Sequence, residues 1–398
     1  MKILLIADNY LPSKLSSAIL MSNLAHELSG SGNDVTVLVP DSDLKESFLI
    51  EREGEFQVVR VKSAPIRGVS HFVRAINESM LPILIWRNAR VFLSQYSAEL
   101  IIFYSPSIFL GRLVGRLKKR WSCPTYLIIR DIFPQWALDA GVLKKGLAYH
   151  YFRKIELYQY KIADYIGVQS KANLDYFDNL PIELNKEPDV LHNWMVTDGL
   201  EVLCTEFRSK YGLKNKIIFF YGGNIGVAQD IDNLLKLAVS MISKESIHFL
   251  LIGEGSRFAY LKRRISELQL KNISLYQSIS QEEYFGIVKE IDVGLISLDR
   301  KLTTHNIPGK ALGYMYMQKP VLASVNKGND LEKLLIQSGA GLVSVNGDDN
   351  QLLENAHKLA NSRELRENMG KASRELLEVQ FSVVKAASII LSHVNTSE

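Results

Sequence analysis

Lys310 is the residue whose position in the sequence points most directly to chemistry. It follows Pro308 and Gly309 and stands at the predicted start of a short helix, 310–317. A Pro-Gly pair at a helix start fixes the entry of the chain and lets backbone N–H groups approach a ligand. The charge of a lysine in the first turn opposes the helix dipole unless an anion lies beside it. The sequence therefore predicts an anion near Lys310, with a solvated lysine as the alternative.

Two glycine-rich turns follow predicted strands in the same half of the chain. Gly222-Gly223-Asn224-Ile225-Gly226 comes after a strand at 217–221, and Gly253-Glu254-Gly255 comes after a strand at 248–252. Glycines there let backbone amides reach a phosphate, although tight strand–helix turns also use them without a ligand. Phe258 occupies the place of the third glycine of the dinucleotide fingerprint, and no GxxxxGK[ST] loop is present. Both absences argue against nicotinamide enzymes and P-loop NTPases.

Polar groups in the first half could bind a sugar or move a proton. Asp131 comes just after a predicted strand at 125–129, where a carboxylate can act as a base, bind a hydroxyl or simply cap a turn. The loop 13–17 offers serine hydroxyls to an acceptor or a phosphate, and His192 and His305 are candidates of lower rank. No HExxH, CxxC or GxSxG motif occurs, and we predict no metal site.

The elements that must position these groups are strands that alternate with helices. Such alternation predicts an α/β protein with doubly wound parallel sheets. The chain has 398 residues, more than one core usually supports, and the pattern repeats in two halves that meet near 195–205. We therefore predict two Rossmann-like domains with a cleft between them. Ligands of open parallel sheets bind beyond the carboxyl ends of the strands, where the glycine-rich and polar segments lie.

The basic residues are unevenly distributed. Net charge is +4, yet the stretch from Arg67 to Arg120 contains nine Lys and Arg residues against Glu78 and Glu99. Large apolar residues, including Phe72, Trp86 and Trp121, lie among them. This mixture suits an anionic membrane surface, or else a solvated helix face above an ordinary core. Nucleic acid is disfavoured because no recognised binding motif accompanies the charge.

Cysteine usage and hydropathy suggest where the protein acts. Two distant cysteines, Cys123 and Cys204, indicate no disulfide framework or metal cluster. The apolar start of the chain is broken at Asp8, which is too early for a secretory core, and no apolar run approaches the length of a spanning helix. We expect a cytoplasmic protein that rests peripherally on the inner face of the cytoplasmic membrane.

Taken together, ordered segments along nearly the whole chain resemble the family 4 glycosyltransferases of the GT-B fold. Within that family, the Pro-Gly-Lys form followed by Gly-Tyr-Met resembles a WbuB-like branch of O-antigen enzymes thought to transfer N-acetyl-L-fucosamine. The segments that carry the resemblance are 2–17, 33–38, 131–134, 156–170, 221–226, 249–255 and 307–323.

The resemblance implies a nucleotide-sugar donor, UDP-linked, in a C-terminal domain at 196–380. It implies an acceptor, a saccharide on undecaprenyl diphosphate, held by an N-terminal domain at 1–195 that a final helix at about 381–398 completes. No cofactor is implied, and metal independence is expected. Carried over by position, the donor-binding residues are Gly222, Gly223, Asn224, Gly226, Gly253, Glu254, His305, Pro308, Gly309 and Lys310. The acceptor-binding residues are Asn9, Ser16, Ser17 and Asp131, of which Asp131 joins Lys310 as a catalytic candidate.

Two departures from the family pattern bear on mechanism. The paired glutamates of the family align with His305 and Gly313, and its common Arg and Lys near the donor phosphates align with Asn224 and Gln229. Retention or inversion of the anomeric configuration therefore stays open. In the inverting case Asp131 takes the proton of the acceptor, and in the retaining case the leaving phosphate does. A UDP-sugar 2-epimerase of the same fold and an inactive sugar-nucleotide-binding protein are the alternative functions.

Overall fold

The computed structural model describes residues 1–13, 15–105, 107–139, 141–302, 305 and 307–395. The chain divides into two compact units, residues 1–194 with the described part of 383–398, and residues 195–382. The segments 13–17, 105–107 and 299–309 each include residues outside the described set, namely Lys14, Pro106, Thr303, Thr304 and Asn306.

The first unit is built on an eight-stranded sheet in the order β3-β4-β2-β1-β5-β6-β7-β8. All neighbours are parallel except β3, which runs antiparallel to β4 at the edge. The strands are β1 (Lys2–Ile6), β2 (Asp34–Asp41), β3 (Phe48–Glu53), β4 (Phe56–Lys62), β5 (Leu100–Ser105), β6 (Thr125–Ile129), β7 (Tyr165–Val168) and β8 (Asp189–Val190). The central strands are buried on both faces, as parallel strands under helices must be.

Helices cover this sheet. They are α1 (Ser16–Gly30), α2 (His71–Asn88), α3 (Arg90–Gln95), α4 (Gly111–Trp121), α5 (Gln135–Asp139), α6 (Leu147–Ile162) and α7 (Leu174–Asp178). Short 3-10 turns lie at Ile108–Leu110 and Lys171–Asn173. No described helix is long and apolar enough to cross a membrane.

The second unit contains a six-stranded parallel sheet in the order β11-β10-β9-β12-β13-β14. Apolar clusters on its two faces carry the core. The strands are β9 (Ile217–Gly222), β10 (Ile247–Ile252), β11 (Ile273–Tyr276), β12 (Val293–Ser297), β13 (Val321–Val325) and β14 (Gly341–Val345). The helices are α8 (Phe207–Lys210), α9 (Ile231–Ser240), α10 (Phe258–Glu267), α11 (Gln281–Glu290), α12 (Lys310–Tyr316), α13 (Asp330–Ser338), α14 (Asp349–Asn361) and α15 (Arg363–Gln380).

The last helix, α16 (Val383–Asn395), returns to the first unit. His393 Nε2 lies 2.5 Å from Asp189 Oδ2, and the His393 ring stacks on Tyr165. Asp189 also accepts a hydrogen bond from the Tyr126 hydroxyl. A polar side chain near the end of the chain therefore ties the helix to strands β6, β7 and β8.

Candidate active site

The sheet of the second unit opens between β9 and β12, the point where its strand order reverses. Strand β9 pairs with β10 as far as Gly222, but it pairs with β12 only at Phe219 and Phe220. The Tyr314 hydroxyl fills the gap, accepting from the Gly222 N–H at 3.1 Å and donating to the Leu295 carbonyl at 3.3 Å. Open parallel sheets bind ligands at such a switch point.

Tyr314 fits this gap because Gly294 has no side chain. A Cβ on Gly294 would lie 2.3 Å from the Tyr314 ring. Tyr314 is fully buried, and burial raises the pKa of its hydroxyl well above the ordinary value, so the group stays protonated and can donate.

The two glycine-rich turns are bound to each other through their backbones. Gly223 N–H donates to the Ile252 carbonyl at 2.9 Å, and Ile225 N–H donates to the Glu254 carbonyl at 2.7 Å. A Cβ on Gly253 would lie 1.8 Å from the Gly223 carbonyl oxygen, so this approach requires glycine. Gly223 itself has φ +118°, in the region that side chains disfavour. Close packing of the turns therefore explains both glycines without any ligand.

Lys310 places its ammonium group against these turns. Its Nζ lies 3.4 Å from the centroid of the Tyr221 ring, and a Cβ on Gly223 would lie 3.8 Å from that Nζ. The Tyr221 hydroxyl donates to the Asn224 carbonyl at 2.6 Å, which fixes the ring under the lysine. The lysine and the first glycine turn are thus neighbours in the fold.

Burial lowers the pKa of Lys310 well below its ordinary value, and no charged group offsets that effect. The Tyr221 ring offers a cation–π contact, which compensates a desolvated ammonium only in part. Among the described residues we find no ion pair between Lys310 and a carboxylate. The arrangement therefore suits an anion, whose charge would stabilise the protonated lysine.

The other predicted donor residues of the turns form a polar border. Gln229 Oε1 accepts from Asn224 Nδ2 at 3.1 Å and from the Gly226 N–H at 3.2 Å. Glu254 is exposed and accepts from Ser278 Oγ at 3.1 Å. An acidic side chain repels phosphate and suits a hydroxyl, so the two turns differ in the ligand groups that they could bind.

His305 and the Pro-Gly pair lie on the segment that leads to α12. His305 Nδ1 lies 3.3 Å from Asn326 Nδ2, and Asn326 also donates to the Leu302 carbonyl. Gly309 has φ −57°, which any residue can adopt, so its backbone conformation does not require glycine. Pro308 precedes it and is half-buried, while Asn306 lies outside the described residues.

Gly313, the other position aligned with a family glutamate, is buried against aromatic side chains. A Cβ there would lie 3.4 Å from ring atoms of Tyr284 and Phe285. Neither His305 nor Gly313 supplies a carboxylate, so any contact to the sugar or ribose must come from other groups.

In the first unit, the predicted acceptor residues lie at the carboxyl ends of the strands. Asp131 follows β6 and is half-buried, and Phe133 N–H donates to its backbone carbonyl at 3.1 Å. Asn9 follows β1 and donates from Nδ2 to Ser17 Oγ at 3.3 Å, so these two side chains meet. Ser16 is exposed at the start of α1.

A buried network at the same edge includes residues that we did not single out as site residues. Arg130 Nη1 donates to Asn193 Oδ1 at 2.8 Å, and Gln169 Nε2 donates to the same oxygen at 3.2 Å. His192 Nδ1 lies 2.7 Å from the Gln169 carbonyl. His192 therefore orients the backbone near β7 and β8, which is a structural role.

Asp8 is the acidic residue that sequence reasoning missed. It lies two residues past the end of β1, is 5% exposed, and its Oδ2 lies 3.5 Å from Arg67 Nη2. Burial raises the pKa of the Asp8 carboxyl, although Arg67 and Arg74 act in the opposite direction. Its Oδ1 has no hydrogen-bond partner among the described residues. Its position just past a buried strand, the same signal that selected Asp131, could have identified it.

The two α/β units with their parallel sheets have the GT-B fold, which solved glycosyltransferase structures share. Residues 205–376 match the family described as Glycosyl transferases group 1. No group of three or more His, Cys, Asp and Glu side chains suited to a metal ion occurs among the described residues.

Two curated proteins named as glycosyltransferases have sequences similar to parts of this chain. A probable glycosyltransferase of Pseudomonas aeruginosa, WbjE, is 29% identical over 223 residues, 54% of this chain and 54% of WbjE. WcaI of Escherichia coli K12, provisionally named a colanic acid biosynthesis glycosyl transferase, is 21% identical over 343 residues, 78% of this chain and 80% of WcaI. The match to WbjE thus spans about half of that relative's length.

Solved structures share the fold over the whole chain. Sucrose-phosphate synthase from Thermosynechococcus elongatus has a TM-score of 0.75 at 14% identity, covering 99% of this chain and 98% of its own. The E. coli structure described as trehalose-6-phosphate bound with UDP-2-fluoro glucose has a TM-score of 0.74 at 10% identity and full coverage of both chains. Anabaena HepE in complex with UDP has a TM-score of 0.69 at 12% identity, again with full coverage of both.

Proposed function

We propose that this chain transfers a sugar from a UDP-linked donor to a saccharide carried on undecaprenyl diphosphate during polysaccharide assembly. The observation that carries the proposal is the position of the Lys310 ammonium, over the Tyr221 ring and beside Gly223 at the switch point of the second sheet. The UDP and UDP-sugar in the solved relatives support the choice of nucleotide. The names of WbjE and WcaI support the polysaccharide setting.

In this proposal, Lys310 and the amides of the turn 222–226 bind the donor diphosphate. Negative charge grows on the leaving diphosphate as the glycosidic bond breaks, and a fixed cation lowers the energy of that state. Gly253 and Glu254 bind the nucleoside, and His305, Pro308 and Gly309 border the site. The WbuB-like motif form supports N-acetyl-L-fucosamine as the sugar.

We assign the acceptor to the carboxyl edge of the first sheet, with Asn9, Ser16, Ser17 and Asp131. In an inverting reaction Asp131 removes the proton of the attacking hydroxyl, while in a retaining reaction an oxygen of the leaving phosphate takes it. The carrier lipid places the protein at the cytoplasmic face of a membrane.

The lack of carboxylates at His305 and Gly313 favours one second candidate, a protein that binds a sugar nucleotide without transferring the sugar. Thermal unfolding with UDP, UDP-sugars, GDP, ATP and NAD tests the donor site that both functions require, and sugar transfer to an acceptor separates the two functions. A ligand that binds only the folded state stabilises the protein by about 2.7 kcal/mol when its concentration is about 100 times its Kd. We expect UDP to raise Tm while NAD and ATP leave it unchanged, and Lys310→Met to remove the shift. A flat response to all uridine ligands would reject the donor site.

A further inference from the structure

Helix α2 exposes an apolar face that a water-soluble surface helix does not need. The large apolar side chains on it are Phe72, Val73, Ile76, Met80 and Ile83, and Phe72 is 77% exposed. At 3.6 residues per turn these positions fall within an arc of about 100° on one side of the helix. Leu81 and Ile85, on the other side, are completely buried. The helix is therefore apolar on both its core face and its outer face.

A second group of exposed apolar side chains lies just before α6 and at its first residue. Leu147 is 93% exposed and Val142 is also exposed, with Lys144 and Lys145 exposed between them. Single exposed apolar residues are ordinary, but an almost fully exposed leucine next to a lysine pair, close to another apolar face, has the composition of a membrane contact.

The two groups of exposed apolar side chains adjoin. Tyr151, one turn into α6, donates from its hydroxyl to Ser79 Oγ on α2 at 2.8 Å, and its ring is exposed. Trp136 on α5 is 40% exposed and contacts the ring of Phe133, which follows Asp131 by two residues. We call Phe72, Val73, Ile76, Met80, Ile83, Trp136, Val142, Leu147 and Tyr151 the apolar rim. This rim therefore borders the edge of the first sheet that carries Asp131.

The charge around the apolar rim is mainly positive. Arg87 lies in the same arc of α2, and Lys144, Lys145 and Lys154 are exposed on or before α6. Of the acidic residues on α2 and α5, Glu78 is buried and paired with Arg74, whereas Asp139 is exposed. Cations that border apolar side chains complement a bilayer with anionic headgroups.

Of the basic stretch that the sequence suggested, residues 67–120, only the outer face of α2 belongs to the rim. Trp86 and Trp121 pack against the core, and the Arg116 guanidinium lies 4.7 Å from the centroid of the Trp86 ring. Lys118 Nζ is bound to Asp164 at 2.6 Å. Both of these tryptophans and two of the cations are thus engaged within the protein.

We propose that the apolar rim docks this chain on an anionic lipid bilayer, with α2 lying in the interface and Leu147 inserted among the headgroups. The inference rests on the proposed function, in which the acceptor is lipid-linked. It specifies where the bilayer that carries the acceptor meets the protein.

Sedimentation with vesicles tests the rim. The full chain should bind vesicles of phosphatidylethanolamine with phosphatidylglycerol and bind weakly to phosphatidylcholine alone. The variant Phe72→Ser/Leu147→Ser should lower partitioning at least about tenfold, since two large apolar side chains lose their burial. Both positions are exposed, so folding should be unaffected. The matched control Val227→Ser/Ile336→Ser changes exposed apolar residues of the second unit and should leave partitioning unchanged.

A second pair of variants tests the charge. Lys144→Glu/Lys145→Glu should weaken binding to the anionic vesicles, whereas Lys262→Glu/Lys271→Glu, an exposed pair in the second unit, should not. Brominated lipid should quench tryptophan fluorescence, and Trp136→Phe should remove most of that quenching. The other three tryptophans are half-buried or buried.

Transfer to a water-soluble acceptor separates this inference from the proposed function. The rim variants should keep that activity, and a chain that binds vesicles by the rim but transfers no sugar would contradict the function alone. Equal partitioning of wild type and Phe72→Ser/Leu147→Ser would overturn the docking surface. So would a stable dimer in solution that the same variant dissociates while vesicle binding persists, because the rim would then be a contact between copies.

Discussion

The Lys310 ammonium lies 3.4 Å from the centroid of the Tyr221 ring, and the Tyr221 hydroxyl is bonded in turn to the Asn224 carbonyl of the first glycine-rich turn. Through this relationship one aromatic ring fixes both the cation and the turn. A lysine that loses hydration without gaining a counter-ion destabilises the folded chain, and such residues are frequent at functional sites.

Replacing Lys310 by methionine should abolish UDP-dependent stabilisation and transfer without lowering the Tm of the free protein. Methionine fills a similar volume and carries no charge to desolvate. The unfolded chain holds the lysine proton more tightly than the folded chain does. Wild-type stability should therefore rise with pH between the lowered pKa of Lys310 and its ordinary value, and the variant should lack that rise. Thermal unfolding across pH measures both effects; substantial UDP stabilisation in the variant would exclude the lysine from the site.

The pH dependence of UDP binding should follow the same residue. A bound diphosphate raises the pKa of Lys310 back toward its ordinary value. Binding should therefore take up a proton, and affinity should fall by up to about tenfold per pH unit between the pKa of the free and bound states. Calorimetry in buffers of different ionisation enthalpy measures the uptake. Pure proton release on binding, or the same uptake in Lys310→Met, would contradict this.

Gly253→Ala should destabilise the protein by about 1–3 kcal/mol or more and disrupt UDP binding. The added Cβ would overlap the Gly223 carbonyl oxygen, which belongs to backbone and cannot rotate away. Gly30→Ala is the matched control, because a Cβ there meets no atom within 4 Å and its φ is not positive. Urea unfolding gives the free energies. Equal stability of the two variants would mean that the turns are not packed as described.

Tyr314→Phe should cost about 1–3 kcal/mol because the Gly222 N–H and the Leu295 carbonyl both lose their partner inside the protein. UDP should also bind more weakly, since the opening between β9 and β12 loses its support. Tyr260→Phe, which removes a hydroxyl bonded to Asp232 at a half-buried position, should cost less. A UDP affinity unchanged in Tyr314→Phe would limit the hydroxyl to a structural role.

Asp131→Asn should keep UDP binding but lower transfer by about two to four orders of magnitude if Asp131 is the base. Asp8→Asn is the informative companion, since Asp8 is buried just past β1 and faces Arg67. Single-turnover rates across pH, with UDP affinity as the control, distinguish them. Transfer that fails only in Asp8→Asn would move the catalytic carboxylate from β6 to β1, and full transfer in both would point to a retaining reaction.

Much of the architecture could be predicted because parallel strands that are buried on both faces appear in the sequence as short apolar runs. Strand β3 was not predicted, because most of its residues are exposed and it pairs antiparallel at the edge of its sheet. The two-domain α/β fold with parallel sheets is confirmed. The site was harder to predict, since the support of Gly222 by Tyr314 depends on the space left at Gly294, 20 residues earlier in the sequence.

Composition alone also could not separate the two faces of α2. Phe72, Ile83, Leu81 and Ile85 are all large apolar residues, yet the first two are exposed and the last two are buried in the core. Which of these residues are buried depends on which face of α2 packs against the sheet. The same limit applies to Asp8, whose partner Arg67 lies far from it in the sequence.

The most direct test of the central claim compares UDP with uridine by calorimetry, in the wild-type protein and in Lys310→Met. Charge-assisted hydrogen bonds contribute about 1.5–3 kcal/mol each. The wild type should therefore bind UDP at least about tenfold more tightly than uridine, and the variant should lose that preference. Equal affinities for UDP and uridine in the wild type would show that no diphosphate binds beside Lys310, and would contradict the proposed donor site.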